Sequence, residues 1–295
     1  METFDAVIVG AGPAGLTAAT YLGRYRRRVL VLDGGLPRAS WIPRSHNTPG
    51  FPGGVAGPEL LSRLRAQAKR YGAHIREGRA GDLVKEGDNF RFDLERGAVA
   101  APFALLATGL IDHKPDVPGL DAAIRQSLVR LCPICDAFEA IDKRIAVLGD
   151  GDLGAREALF LRTYSERVTL LHLGHAADLK DNDRLKASGV EMLEVEIGAI
   201  SLKPRTVSVA LPAPGRSRRF DHLYLALGCD MENRLAVKWG ADHDKDGKLI
   251  VDAHQQTSIE GVYAAGDVVL GLNQIAIATA EAAIAATAIH NKLRT

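Results

Sequence analysis

Cysteine is scarce in this chain. Three residues in 295 are too few to staple a fold, and a chain this long buries a sizeable core without staples. An excess of charge of either sign is also missing. The 37 basic and 36 acidic residues leave a net charge of +1, which gives no electrostatic footprint for nucleic acid or an anionic membrane. The densest basic cluster, residues 24–28, reads as a solvated helix end. No apolar run reaches the length that spans a bilayer. The N-terminus enters a strand almost at once, with no charged leader and no cleavage site. Low-complexity tracts and short solenoid repeats are absent too. These absences lead to the expectation of a cytoplasmic protein that engages neither nucleic acid nor membrane. Apolar residues at 46% and charged residues at 25% are ordinary for a globular protein. The length favours two domains.

What is present is a strand, a glycine turn, a helix and a strand, and then the same series again. Residues 5–9 form a short β-branched run that leads into Gly10-Ala11-Gly12-Pro13-Ala14-Gly15. An alanine-rich helical pattern follows, and then a second buried run that ends at Asp33. In such a unit Gly10 permits the tight turn, Gly12 lets backbone approach a diphosphate, and Gly15 lets helix and strand pack closely. The helix N-terminus supplies free N–H groups and a positive dipole end. Asp33 follows at about the 20-residue offset where an acid binds ribose hydroxyls. Residues 34–57, rich in Gly and Pro, read as a long irregular loop of the functional kind. In it, Trp41 reads as a packing anchor for its own loop. A second βαβ unit begins at Arg144 and carries Gly149-Asp150-Gly151-Asp152-Leu153-Gly154. Residues 275–293 read as a mostly buried helix.

Two of the cysteines form Cys132-Pro133-Ile134-Cys135, followed by Asp136. Two thiols at this spacing close into a disulfide when they open a helix, and the helix N-terminus favours the thiolate that attacks a disulfide. A carboxyl group at Asp136 is placed to hold a proton for a departing thiolate. Half of a zinc site is the competing reading, and a purely structural pair is another. Zinc needs two further ligands. Cys229 is single, and His113, His172 and His175 form no ligand spacing, so no metal is expected. Cys229, after a buried strand, reads as a core thiol.

These motifs together resemble the low-molecular-weight, bacterial-type thioredoxin reductase family over nearly the whole chain. Pro13-Ala14-Gly15 resembles FAD-binding loops more than NAD-binding ones. Asn47-Thr48-Pro49-Gly50-Phe51-Pro52, Ala107-Thr108-Gly109, residues 132–136 and Ala264-Ala265-Gly266-Asp267 carry the rest of the likeness. The resemblance implies FAD held by Gly10, Gly12, Pro13, Ala14, Gly15, Asp33, Asn47, Thr108, Gly109, Gly266 and Asp267. Asp267 is implied on the ribitol chain, with Asn273 and Gln274 opening the last helix beside the flavin. It also implies Cys132, Cys135 and Asp136 as catalytic residues, with Cys135 nearer the flavin and Asp136 as the acid.

The second glycine loop departs from the family. Gly149, Gly151 and Gly154 keep the fingerprint of an NADPH site. The family usually has His-Arg-Arg at the end of the next strand, and this chain reads His172-Leu173-Gly174-His175-Ala176-Ala177-Asp178. The arginines that grip a 2′-phosphate are missing, and Asp150 stands where a glycine is usual. Three explanations follow: NAD(P)H bound with altered recognition, a decayed site with a donor such as ferredoxin, or another ligand such as a second flavin. A branch of the family that oxidises small dithiols also lacks the arginines, but it commonly has histidine where this chain has Asp136.

The expected fold is α/β, with two Rossmann-like, three-layer nucleotide-binding domains. The FAD domain is discontinuous, 1–111 and 242–295, and the inserted domain is 112–241, with hinges at residues 112–119 and near Gly240. The expected function is FAD-dependent transfer of electrons through Cys132 and Cys135 to a thioredoxin-like protein or a small disulfide, in a homodimer. The alternatives are a dithiol oxidase that uses oxygen, and a flavin-bound redox sensor without turnover.

Overall fold

A computed structural model describes residues 1–175, 179–180 and 182–294 of the chain. Strand Ala6–Val9 is apolar at every position and buried on both faces, as a central parallel strand must be. It lies in the middle of a five-stranded parallel sheet in the order Val262–Ala264, Phe103–Leu106, Ala6–Val9, Val29–Asp33, His74–Glu77.

Alternate residues of this sheet face two different layers. Ile8, Val29, Val31 and Leu105 pack against helices Pro13–Arg24 and Ile275–Lys292. Val7, Val9, Leu30, Leu32 and Leu106 pack against Phe90, Phe92 and Val99 of a second, four-stranded sheet. The last helix buries one stripe, Ala278, Ala282, Ala285, Ala286 and Ile289, while Ile284 is exposed. The expectation of a mostly buried helix therefore holds for one face only. The stripe is small-sided, so this helix and Pro13–Arg24 approach closely through Ala14, Ala18 and Ala19.

The inserted unit repeats the plan. Its parallel sheet runs Val129–Arg130, His222–Ala226, Ile145–Gly149, Val168–His172, Glu191–Glu194. Helix Gly151–Leu161 covers one face. A three-stranded antiparallel sheet, residues 200–220, covers the other.

The chain passes between the units twice, side by side. Leu110–Asp112 pairs antiparallel with Cys229–Met231, with Asp112 opposite Cys229. Cys229 is therefore a half-buried residue of this crossing ribbon, not a core thiol. The return passage comes before helix Arg234–Val237. Leu235, Ala236 and Ala241, expected within the inserted unit, bury instead in the core between the two sheets of the first unit. Among the described residues no helix is long and apolar enough to cross a membrane. Nor does any group of three His, Cys, Asp or Glu side chains there form a metal site. The basic cluster at residues 24–28 is tied to both chain ends: Arg28 pairs with Glu2, and Arg27 donates to His290 Nδ1.

Candidate active site

The strand ends of the first unit open into a cleft of about 450 Å³. Gly10, Gly12, Pro13 and Ala14 form one wall, with Asp33, Asn47, Thr108, Gly109, Gly266, Asp267, Asn273 and Gln274 around them. Cys132, Cys135 and Asp136 of the inserted unit close the other side. Gly15 lies beneath the wall, where a Cβ would meet the Gly10 carbonyl oxygen at 1.9 Å. Gly149, Gly151 and Gly154 stand apart from this cleft, in their own unit. A Cβ on Gly149 would come within 2.4 Å of the Gly154 Cα. Those two glycines are thus explained by strand-to-helix packing alone.

The cleft fits a dinucleotide cofactor. Gly10 has φ +111° and its missing Cβ would strike the Ala107 carbonyl oxygen at 2.2 Å, so the turn demands glycine. Helix Pro13–Arg24 has no side-chain cap and no acid in its first turn. Its leading N–H groups are left for an anion. The helix opened by Gln274 is uncapped and acid-free in the same way, and Ile275 and Ala278 of its first turn line the cleft. Thr108 Oγ1 is buried without a hydrogen-bond partner, as a group that awaits a ligand would be. Asp33 is buried; it accepts from the Gly35 N–H at 3.1 Å and pairs with Arg65.

The second loop differs in charge. Asp150 stands at the N-cap of helix Gly151–Leu161, and Asp152 lies in its first turn. Asp152 Oδ1 accepts from the Lys180 N–H at 3.0 Å. Carboxylates here oppose a diphosphate. His172 is buried at the end of its strand, and Nε2 lies 3.3 Å from the His175 carbonyl oxygen. Leu173 and Gly174, which follow His172 in place of the family's arginine pair, are described, whereas Ala176, Ala177 and Asp178 of the same stretch lie outside the described residues.

Cys132 and Cys135 form a disulfide, with Cys132 capping the single turn Pro133–Asp136. The turn follows the edge strand Val129–Arg130 directly, and this places the pair at the mouth of the inserted sheet. Gln274 Nε2 approaches both sulfurs, at 3.6 Å and 3.5 Å. A disulfide sulfur has no hydrogen to give, so the amide is the donor. Asn47 Nδ2 donates to Gln274 Oε1 at 2.9 Å, and Ser45 Oγ donates to Asn47 Oδ1 at 3.0 Å. Both units are thereby joined at the sulfurs, and the disulfide faces the cofactor wall.

Several residues of this site carry no motif. Arg38 ion-pairs with Asp112 and Asp267. Trp41 packs on the core of the inserted unit, with Lys114 Nζ 3.2 Å and Arg125 Cζ 5.0 Å from its ring centroid. It anchors its loop to the other unit rather than to itself. Asp136 is held by Arg130, Nη1 to Oδ2 at 2.8 Å, and its backbone carbonyl accepts from Tyr224 OH at 3.2 Å. Burial pushes the Asp136 carboxyl up, and the Arg130 charge works against that rise. The only hint of Arg130 in the sequence is a charge inside an apolar strand.

A redox disulfide presented to a dinucleotide cleft defines a flavin-type disulfide oxidoreductase. The chain belongs to the pyridine nucleotide-disulphide oxidoreductases, whose family model matches residues 4–286. It is an FAD-dependent disulfide oxidoreductase of the thioredoxin-reductase type. It is 31% identical to a thioredoxin reductase of Mycolicibacterium smegmatis over 96% of this chain and 94% of the relative. It is 29% identical to that of Treponema pallidum over 100% and 99%. Among solved structures, HlmI superposes with a TM-score of 0.88 at 30% identity, over 99% of this chain and 93% of that one. The thioredoxin reductase of Streptococcus pyogenes superposes at 0.87 and 26%, over 99% and 98%.

Proposed function

We propose that the protein reduces the disulfide of a thioredoxin-like protein through Cys132 and Cys135. The observation that carries this reading is the Cys132–Cys135 disulfide, seated on Gln274 at the cofactor cleft and flanked by exposed apolar side chains. Ile134 is 51% exposed and Phe138 is 71% exposed. Apolar surface beside a redox pair suits a protein partner better than a small, fully enclosed substrate. FAD, when bound, supplies the electron pair that opens the disulfide. Gln274 holds the sulfurs at the cleft, Asn47 orients Gln274, and Asp136 holds the proton that a leaving sulfur needs. Cys132, at the cap of the turn, is the sulfur that attacks the partner, and Cys135 resolves the mixed disulfide.

Asp150 and Asp152 at the second helix N-terminus favour a donor other than a tightly held pyridine nucleotide, with ferredoxin as the class to try first. A cytoplasmic homodimer completes the reading. Leu270 and Leu272, 54% and 52% exposed, offer apolar surface for a second copy. Light scattering tests that part.

The central test is thioredoxin reduction by Cys132→Ser and Cys135→Ser with FAD content measured alongside. Loss of turnover in both, with FAD retained, supports the reading. Full activity in either variant sinks it. Peroxide formed in step with consumption of a small dithiol points to the oxidase instead.

A further inference from the structure

We propose that Arg130 is the positioning residue of Asp136, fixing the carboxyl through Oδ2 so that Oδ1 alone is open to proton exchange with the thiols of the redox pair. The proposal rests on the function proposed above, in which Asp136 serves the thiols.

Three observations carry it. Arg130 and Asp136 flank the cysteine turn, and the guanidinium reaches back across it. Arg130 Nη1 ion-pairs with Asp136 Oδ2 at 2.8 Å and donates to the Asp136 carbonyl at 3.2 Å. The Arg130 side chain is only 7% exposed, so the contact is little screened by water. Asp136 Oδ1 is buried and has no hydrogen-bond partner. One carboxyl oxygen is thus held by the guanidinium, and the other is left over on a residue that lines the cleft with both cysteines.

The surroundings make Arg130 the deciding charge. Strand register sets Tyr224 directly beside Arg130, and Tyr224 OH ties down the Asp136 carbonyl at 3.2 Å. Glu139, on the turn after Asp136, adds a like charge that raises the proton affinity of the carboxyl. Behind Arg130 lies His222. Its Nδ1 is 3.1 Å from the Ser127 carbonyl oxygen and 3.4 Å from Arg130 Nε. A carbonyl takes a hydrogen bond only from N–H, so Nδ1 carries the proton and the Arg130 contact is a close approach. Burial lowers His222 to about 4, so this ring is neutral near pH 7 and brings no second cation. Among the described residues Arg130 is then the one cation against the carboxyl, and with the Tyr224 hydroxyl it opposes both burial and Glu139.

The role in the exchange follows. The dithiol form gives two electrons to the partner disulfide. The partner's S–S bond breaks, a bond forms between Cys132 and Cys135, and the two thiol protons end on the partner's sulfurs. Asp136 as a carboxylate takes one of these protons through Oδ1 and returns it to the departing partner sulfur. Without Arg130 nothing of opposite charge offsets the burial of the carboxyl, which then holds its proton more tightly and accepts one less readily.

The test is a titration of the Asp136 carboxyl by carbon NMR on full-length oxidised protein, with Asp136→Asn used to assign the signal. In Arg130→Met the midpoint is expected to rise by about one pH unit or more, the size of a nearby opposite charge. Arg130→Lys keeps the charge but loses the planar fork, so a smaller rise is expected. It also serves as the reporter if the Met variant does not fold. The pH profile of partner reduction should shift the same way in Arg130→Met and should not shift when Asp136→Asn is already present. An unmoved midpoint in the folded variants, or a profile shift that persists with Asp136→Asn, overturns the proposal. The midpoint is read without turnover. A wild-type protein that reduces no disulfide therefore counts against the function alone.

Discussion

Arg38 grips Asp112 at two points, with Nε and Nη2 each 2.8 Å from a different carboxylate oxygen. Its third nitrogen, Nη1, lies 3.1 Å from Asp267 Oδ2. A loop residue of the first unit thereby ties the crossing ribbon to the acid at the end of strand Val262–Ala264. The two carboxylates hold the Arg38 proton against the cost of burial, and its pKa is raised.

Arg38→Ala leaves two partly buried aspartates without their shared cation. A loss of about 2–3 kcal/mol in stability is expected. FAD should bind at least about tenfold more weakly, because Asp267 is then set against the cofactor phosphates. Urea denaturation and an FAD-binding titration check both. Unchanged FAD affinity would confine Arg38 to holding the crossing ribbon.

Gln274→Ala removes the donor to both sulfurs and the acceptor of the Asn47 amide. Stability should change by no more than about 1 kcal/mol. Opening of the Cys132–Cys135 disulfide in the FAD-loaded protein should slow by about tenfold, since the pair loses its fixed seat at the cleft. Rapid-mixing measurement of thiol appearance decides it. An unaltered rate would mean that other contacts seat the disulfide.

Two glycines with left-handed backbone should respond differently to alanine. Gly10→Ala brings a Cβ to 2.2 Å from a backbone oxygen and should cost about 3 kcal/mol or more. Gly72 has φ +84° with nothing near its missing Cβ. Gly72→Ala should cost about 1–2 kcal/mol, the backbone penalty alone. Thermal denaturation of the two variants compares them directly.

Two half-buried groups tilt stability with pH in opposite senses. Burial raises the Glu157 carboxyl from 4.5 to about 7. The folded form binds a proton that the unfolded form has lost, so the Glu157 contribution is fully present below about 4.5 and disappears as pH rises through about 7. Burial lowers His222 from 6.5 to about 4. The unfolded form then binds the extra proton, and stability falls as pH drops from 6.5 to 4. Glu157→Gln should match the parent at pH 4 and exceed it by about 2 kcal/mol at pH 8. His222→Asn should remove the loss on the acid side. Urea denaturation across this pH range reads both, and parallel curves for parent and variants would refute the assignment.

The cofactor wall was legible because its constraints are local. The Gly10 turn needs a positive φ and a missing Cβ within a few residues, and only glycine meets both. Gly149 and Gly154 need only the missing Cβ, because their backbones approach too closely for one. The cysteine pair was legible by adjacency. The crossing ribbon was half legible. The prolines after Asp112 marked the outward passage, but nothing local marks Cys229–Met231 as the return. Leu235 and Ala236 gave no sign of which core they would enter.

Arg38, Arg130 and Tyr224 were not legible, and Trp41 was legible as an anchor but not for what it anchors to. Three of the four act through a partner far along the chain: Arg38 with Asp267, Trp41 with Arg125, Tyr224 with Asp136. Arg130 and Asp136 are close in sequence, yet they pair only because the cysteine turn folds the chain back on itself. Sequence by itself determined the chemistry available here: two glycine-loop units, a dithiol pair and an acid beside it. Tertiary structure alone decided which unit the disulfide faces, which cation holds the acid, and which loop binds the two units together. Backbone geometry is set over a few residues, whereas charge pairing and burial depend on distances that exist only once the chain has folded.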